Sequence, residues 1–186
     1  MRIIAGKYRG RRLKAPSWEG LRPTSDKLRE TLFNILAPRI SGARVLDGYA
    51  GTGAIGIEAI SRGASWVSFV DSDRRAQALI ADNVAHCGVT DGYVIIRAPV
   101  AVALDDLGIA PPGTPGHFDI IVLDPPYDDP QVETVVAAAG DVLASDGVLV
   151  LEHAKRRAVP EQAGRLTRVR QVTSGDSALS FYSCPP

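Results

Sequence analysis

The fold is decided by Val45-Leu46-Asp47-Gly48-Tyr49-Ala50-Gly51-Thr52-Gly53-Ala54-Ile55-Gly56, which combines a short apolar strand, a glycine-rich turn and the start of a helix. The glycines have the Gly-x-Gly-x-x-Gly spacing of a dinucleotide-binding turn. A helix closed by Gly63 and a second strand, residues 66–70, lead to Asp71, where an acid can bind ribose hydroxyls. The stretch therefore predicts a Rossmann-like α/β fold that binds a nucleoside-bearing cofactor. A pyrophosphate turn has no need of Asp47, whereas a cationic or amine-bearing ligand does.

A second motif, Asp124-Pro125-Pro126-Tyr127, follows the apolar run 118–123, which is typical of a buried parallel strand. The carboxyl ends of such strands bind ligands in open α/β sheets. Pro125 offers a carbonyl without a competing N–H, and Pro126 stiffens the turn. We expect Asp124 and the Pro125 carbonyl to accept hydrogen bonds from one exocyclic amine, while Tyr127 stacks on the attached ring. A simple Pro-Pro turn at a strand end is the alternative.

The pairing of Asp-x-x-Ala-Gly-Thr-Gly with Asp-Pro-Pro-Tyr resembles the class I S-adenosylmethionine methyltransferases that modify exocyclic amines of nucleic-acid bases. Residues 9–16, 21–36, 61–64 and 175–182 further resemble the RsmD family, the small-subunit (16S) ribosomal RNA guanine-N2 methyltransferases. The resemblance covers nearly the whole chain. It implies S-adenosylmethionine as cofactor and methyl transfer to a guanine N2 amine in small-subunit ribosomal RNA.

The resemblance also implies the functional residues. The catalytic set is Asp124, Pro125, Pro126 and Tyr127. The cofactor set is Arg22, Thr24, Asp47, Ala50, Gly51, Gly53, Asp71, Ser72 and Asp124. Arg22 and Thr24 are expected to border the methionine carboxylate beside a helix N-terminus.

The chain departs from the family pattern at two places. Gly48-Tyr49 follows Asp47, where the family has a leucine and an aromatic residue, and this change is expected to loosen the turn. After the third strand, Arg97-Ala98-Pro99-Val100 contains no Asp or Asn to contact the adenine amine. The adenine pocket therefore stays unassigned.

The net charge of zero conceals a basic amino-terminal segment. Up to Glu30 the chain has nine basic and three acidic residues. Alternation over residues 2–14 predicts a short hairpin with its bend near Gly6 or Gly10. Such a hairpin can follow RNA without burying much core, although a solvated surface is the alternative. The expected nucleic-acid contacts are Lys7, Arg9, Arg11, Arg12 and Lys14.

Length and composition fit one compact enzyme. We expect a basic hairpin extension over residues 1–22 and a methyltransferase domain over 23–186. The predicted fold is a doubly wound, seven-stranded, mostly parallel sheet with an antiparallel C-terminal hairpin, about 166–173 with 178–183. The predicted helices are one capped by Thr24 or Ser25 and ending before Pro38, and those over 54–62, 73–87 and 130–143.

Other classes of protein are disfavoured by what the sequence lacks. There is no run of about 18 apolar residues, no signal peptide, no CxxC spacing and no clustered histidine. We therefore expect a cytoplasmic monomer with no metal and no membrane partner. The resemblance implies small-subunit ribosomal RNA as the partner, free or within an assembled small subunit.

Three other functions remain open. One is a DNA amino-methyltransferase acting on adenine N6 or cytosine N4, although such enzymes usually add a recognition domain. Another is a non-catalytic RNA-binding assembly factor. The third is a nicotinamide-dependent oxidoreductase, which leaves Asp47 and the Pro-Pro motif unexplained. The target nucleotide does not follow from the sequence.

Overall fold

The computed structural model describes residues 1–16, 18, 25–108 and 117–185. Its helices are α1 (Asp26–Ile40), α2 (Ala54–Ser61), α3 (Arg74–His86), α4 (Val100–Gly108) and α5 (Val132–Val142). Its strands are β1 (Arg44–Gly48), β2 (Trp66–Asp71), β3 (Tyr93–Arg97), β4 (Phe118–Leu123), β5 (Leu143–Ala154), β6 (Gln162–Ala163), β7 (Leu166–Ser174) and β8 (Ser177–Ser183). None of the helices in the described residues is long and apolar enough to cross a bilayer.

The strands form one sheet in the order β3-β2-β1-β4-β5-β8-β7-β6. Strands β1 to β5 are parallel, and β8, β7 and β6 pair antiparallel. The predicted mostly parallel α/β sheet with a C-terminal hairpin is confirmed. The predicted strand count of seven is wrong by one, because Gln162–Ala163 turns back through Gly164 (φ +56°) onto β7. Two residues are too short to give a recognisable strand pattern.

The sheet separates two apolar cores, to which alternate residues of each strand contribute. Val45 and Ile120 belong to the core beneath α1, α2 and α3, whereas Leu46 and Ile121 belong to the core beneath α4 and α5. Because both faces of the central strands are covered, these strands are apolar almost throughout. The exceptions are Ser68, which is buried within β2, Arg44 and Asp119 near the amino ends of β1 and β4, and acids such as Asp47 and Asp71 toward the carboxyl ends.

Helix α1 confirms one prediction and corrects another. The Ser25 hydroxyl caps it by accepting a hydrogen bond from the Leu28 N–H at 3.2 Å, while Thr24 lies outside the described residues. The helix was expected to end before Pro38, but it continues to Ile40. Ile40 is buried in the core, and its burial contributes about 1.5–3 kcal/mol. This offsets most of the roughly 3 kcal/mol that an interior proline costs.

Residues 1–14 form two short extended stretches joined by a bend. Arg2 and Arg12 make a single antiparallel bridge, and both Gly6 and Gly10 have a φ of +82°. The expectation that this segment buries little core is wrong. Its apolar residues are buried in the core beneath α1 to α3, and they are Ile3, Tyr8 and Leu13.

Candidate active site

Acidic residues lie in a row along the carboxyl edge of the sheet. Asp47 pairs in register with Phe69 and with Val122, and Val122 pairs with Val150. Asp71, Asp124 and Glu152 each lie two residues beyond those partners, on the same face of the sheet. Neighbouring strands are about 4.8 Å apart, so Asp124 and Glu152 are direct neighbours while Asp71 lies two strands from Asp124. The topology thus collects four carboxylates from β1, β2, β4 and β5 at one edge.

These carboxylates line a cavity of about 780 Å³. Predicted site residues on its wall are Asp47, Ala50, Gly51, Asp71, Ser72, Asp124, Pro125, Pro126 and Tyr127. Wall residues that the sequence did not indicate are Ser25, Lys27, Tyr49, Thr52, Ala54, Ile55, Glu152, Ser174, Gly175, Asp176 and Ser177. Arg22 and Thr24 lie outside the described residues, and within the described wall no residue comes from 97–100.

The glycine-rich turn is held close to the strands by its own geometry. Gly53 is the N-cap of α2 and has a φ of +74°, a conformation that favours glycine. A Cβ atom at Gly56 would overlap the Phe69 ring, so glycine permits α2 to pack tightly on β2. Gly53 itself is not part of the cavity wall. Its role in the structure is to start the helix.

Asp47 lies beneath the turn and is 1% exposed. Its Oδ2 accepts a hydrogen bond from the Gly56 N–H at 2.8 Å. Burial, together with the negative charges of Asp124 and Asp71, raises the pKa of Asp47 well above its ordinary value, although the Gly56 N–H opposes the shift. A positively charged group in the cavity would relieve this repulsion.

Asp71 joins the end of β2 to the glycine turn. Its Oδ2 accepts the Gly51 N–H at 2.8 Å, and its Oδ1 accepts the Asp73 N–H at 2.9 Å. The N-cap of α3 is Asp73, whose carboxylate accepts the Arg75 N–H, so Asp71 does not cap that helix. Asp71 therefore fixes the glycine-rich turn through the Gly51 N–H, and it also lines the cavity.

The loop after β4 is held from two sides. The Arg157 guanidinium donates to the Tyr127 carbonyl and to the Asp129 carbonyl, each at 2.5 Å. From the glycine turn, the Tyr49 hydroxyl donates to Asp129 Oδ2 at 3.0 Å, and burial and the Asp129 charge raise the pKa of Tyr49. Tyr49 has a φ of +63°, unusual for a residue other than glycine. The two loops that face the cavity are thus tied to each other.

Tyr127 is fixed at its hydroxyl as well as at its carbonyl. The hydroxyl lies 2.9 Å from Ser177 Oγ, in the turn between β7 and β8. The sequence predicted a stacking role only, and the Ser177 partner comes from a hairpin fifty residues away. Pro125 is buried and Pro126 is exposed, so the loop presents Tyr127 from a rigid base.

The basic residues of the amino-terminal segment lie largely away from the cavity. The Lys7 N–H and the Tyr8 N–H bind the carbonyl and the hydroxyl of Ser61, the last residue of α2. The cavity is at the opposite end of that eight-residue helix, about 12 Å away. The bend therefore faces the amino edge of the sheet.

Two of the predicted nucleic-acid contacts bind the protein itself. Arg11 Nη1 donates to the Cys87 carbonyl, and Lys14 Nζ forms an exposed ion pair with Asp82 at 2.9 Å. Lys7 lies over the Tyr8 ring. All five predicted contacts are exposed, and within the described segment Arg9 and Arg12 are the ones whose side chains have no described contact with the protein.

A parallel α/β sheet that ends in an antiparallel hairpin, with an acid-lined cavity across the ends of β1, β2 and β4, defines the fold of the class I methyltransferases. Comparison with known proteins identifies the family within this class. The chain belongs to the family described as Conserved hypothetical protein 95, whose model matches residues 1–183.

Two named relatives and a solved structure align with nearly the whole chain. It is 42% identical over 188 residues to ribosomal RNA small subunit methyltransferase D of Haemophilus influenzae, covering 98% of this chain and 93% of the relative. It is 33% identical over 184 residues to the Escherichia coli protein of the same name, covering 98% and 89%. A solved hypothetical protein of Thermus thermophilus superposes with a TM-score of 0.81 at 31% identity, covering 98% of this chain and 99% of that one.

Proposed function

We propose that the protein transfers a methyl group from S-adenosylmethionine to the exocyclic N2 amine of a guanine in small-subunit ribosomal RNA. The observation that carries the proposal is Asp124-Pro125-Pro126-Tyr127, fixed at the carboxyl end of β4 and facing the acid-lined cavity. Two relatives that align over 98% of the chain are named as small-subunit ribosomal RNA methyltransferases. The resemblance to the RsmD family, rather than the geometry, supplies the guanine N2 position.

The cavity residues fit the cofactor. S-Adenosylmethionine supplies an electrophilic methyl group on a sulfonium, and it carries a positively charged amino group. Asp47 and Asp71 offer negative charge beside the glycine turn, and the raised pKa of Asp47 indicates a site where added positive charge is favourable. Asp71 would bind ribose hydroxyls, and its position at the end of β2 supports this role. Ala50, Gly51 and Ser72 complete this part of the wall.

The loop after β4 would hold the acceptor amine. Asp124 and the Pro125 carbonyl accept hydrogen bonds from the two amine protons, which directs the nitrogen lone pair toward the methyl group. A C–N bond forms as the C–S bond breaks, and the amine then loses one proton to Asp124 or to water. Most of the rate enhancement comes from this positioning. Tyr127 holds the base by stacking, a contact worth about 1–3 kcal/mol in single-strand sites.

The substrate is bound outside the cavity by the amino-terminal segment. We assign residues 1–22 to RNA binding and residues 23–186 to methyl transfer, in a cytoplasmic monomer. Arg9 and Arg12 would bind phosphates, and the exposure of both side chains without a described partner in the protein supports this role. An RNA whose target base is already unpaired avoids the few kcal/mol that base flipping costs. DNA methylation at adenine N6 or cytosine N4 is the second candidate, because Asp-Pro-Pro-Tyr suits any planar amine.

The test is methyl transfer from isotope-labelled S-adenosylmethionine to small ribosomal subunits, free small-subunit RNA and DNA. Nucleosides from each reaction are then identified by mass spectrometry. The proposal predicts labelled N2-methylguanosine from the subunits or the RNA and none from DNA. Labelled N6-methyladenine or N4-methylcytosine in DNA would favour the second candidate. Absence of label from all three would support a non-catalytic assembly factor.

A further inference from the structure

Glu152 is a cavity residue to which the chemistry above gives no role. It lies near the end of β5, is 5% exposed, and forms part of the wall beside the loop after β4. The register pairs Leu123 with Leu151, so Glu152 is the strand neighbour of Asp124. Both residues lie on the same face of the sheet, about 4.8 Å apart along the direction of the strand hydrogen bonds.

The order of the acids along the edge indicates which ligand each one faces. Asp71 on β2 lies at one end of the row, Asp124 follows β4, and Glu152 on β5 lies at the other end. A cofactor bound over β1 and β2 reaches Asp124 from one side. Glu152 lies on the far side, where the acceptor base must enter.

Two neighbouring carboxylates match only one of the standard bases that carry an amine. An ionised carboxylate accepts hydrogen bonds and donates none. Guanine has a ring N1–H directly beside its N2 amine, so it presents adjacent donors. Adenine has an unprotonated N1 beside its amine, and cytosine has an unprotonated N3, so both present an acceptor at that position. An acid next to the amine site therefore attracts guanine and repels the other two.

We propose that Glu152 selects guanine by accepting a hydrogen bond from its N1–H, while Asp124 and Pro125 hold the N2 amine. This inference rests on the proposed function and adds the residue that sets its base specificity. Sites that hydrogen-bond a substrate group reject analogues lacking it more strongly than apolar pockets do. The pairing of Asp124 with Glu152 also separates guanine methylation from adenine and cytosine methylation, which Asp-Pro-Pro-Tyr alone does not.

The test uses an analogue that keeps the reacting amine and removes the N1 proton. 2-Aminopurine has the same exocyclic amine as guanine, but its N1 is an acceptor. Once the methylated guanine has been mapped, 2-aminopurine is placed at that position by ligation of synthetic RNA. The kcat/KM for guanine and for 2-aminopurine is measured for the wild type, for Glu152→Gln and for the control Glu161→Gln, whose exposed side chain is outside the described cavity wall.

The wild type should prefer guanine by at least about 100-fold, a difference of the size expected when a hydrogen bond to a charged group is replaced by repulsion. Glu152→Gln should lower that preference at least tenfold, because its amide can donate to the 2-aminopurine N1. Glu161→Gln should leave the preference unchanged. Comparing two bases in two proteins isolates the N1 contact from effects of the missing O6.

An equal guanine preference in the wild type and in Glu152→Gln would overturn the inference. Cofactor affinity and melting temperature show whether each variant is folded. If Glu152→Gln does not fold, Glu152→Ala replaces it, because Glu152→Ala should also lose the preference for guanine. A wild type that forms no N2-methylguanosine overturns the proposed function itself. That outcome is seen without any variant, so the two failures are distinguishable.

Discussion

Replacing Arg157 with alanine should lower turnover without weakening cofactor binding. Arg157 contacts the loop after β4 and donates to the Tyr127 and Asp129 carbonyls, each at 2.5 Å. Asp47 and Asp71, the proposed cofactor residues, make no described contact with Arg157. The variant therefore perturbs the loop that carries Tyr127 and Asp129 and leaves the contacts of Asp47 and Asp71 in place.

The magnitude follows from the two hydrogen bonds. Each is made by a charged donor and contributes about 1.5–3 kcal/mol when the acceptor is removed from water. Because Arg157 is half-buried, we take the lower bound, about 3 kcal/mol in total, and assume that water replaces about half of it. The remaining energy, about 1.5 kcal/mol, corresponds to a roughly tenfold loss of kcat. Arg157→Lys, which can reach one carbonyl, should lose about threefold.

The assay is single-turnover methyl transfer to small-subunit RNA, with calorimetry for S-adenosylmethionine. Arg165→Ala is the matched control, because its guanidinium bridges the Gly140 and Leu143 carbonyls at 2.7 and 2.6 Å. Those carbonyls lie at the other end of α5, so Arg165→Ala should lower the melting temperature and leave kcat unchanged. Wild-type turnover in Arg157→Ala, or an equal loss in Arg165→Ala, would refute the reasoning.

Cofactor affinity should rise with pH as Asp47 ionises, because a cationic cofactor favours the carboxylate. The stability of the free protein should fall over the same range, upward from the ordinary pKa of 3.8, since a raised native pKa means that the folded state binds more protons. Asp47→Asn should flatten both profiles, and a pH dependence like that of the wild type would count against this. Asp71→Ala should weaken S-adenosylmethionine about 10- to 100-fold by calorimetry and also lower the melting temperature, because Gly51 and Asp73 lose an acceptor; unchanged affinity would refute the ribose contact. Replacing Arg9 and Arg12 with alanine should reduce the slope of log affinity against log salt by about 0.7–0.9 for each phosphate that is no longer bound. If the variant and the wild type have the same slope, Arg9 and Arg12 are solvated surface residues that do not bind phosphates.

The sequence predicted the parts of the site that depend on the order of residues within a short stretch of chain. Asp71 and Asp124 each follow an apolar strand, and because parallel strands end at one edge, their proximity could be expected without coordinates. The glycine turn was recognisable because Gly51 and Gly53 have a fixed spacing between a strand and a helix. These features can be recognised from the pattern of apolar residues and glycines along the chain alone.

The rest depends on how distant segments pair. Glu152 lies inside a strand, and only the register of β4 with β5 places it beside Asp124. Arg157 and Ser177 bind the loop after β4 across 28 to 50 positions of sequence, and nothing local marks either residue as a partner. The predicted end of α1 is wrong because Pro38 is visible in the sequence as a helix breaker, whereas the burial of Ile40 depends on the tertiary fold.

The position of the transferred methyl group tests the central claim most directly. Small ribosomal subunits from cells lacking this gene are incubated with the protein and deuterium-labelled S-adenosylmethionine, and the RNA is then digested and mapped by mass spectrometry. We expect labelled N2-methylguanosine at one position with wild-type protein and none with Asp124→Ala, which should still bind the cofactor. Label on an adenine or cytosine amine, or full incorporation by Asp124→Ala, would contradict the claim.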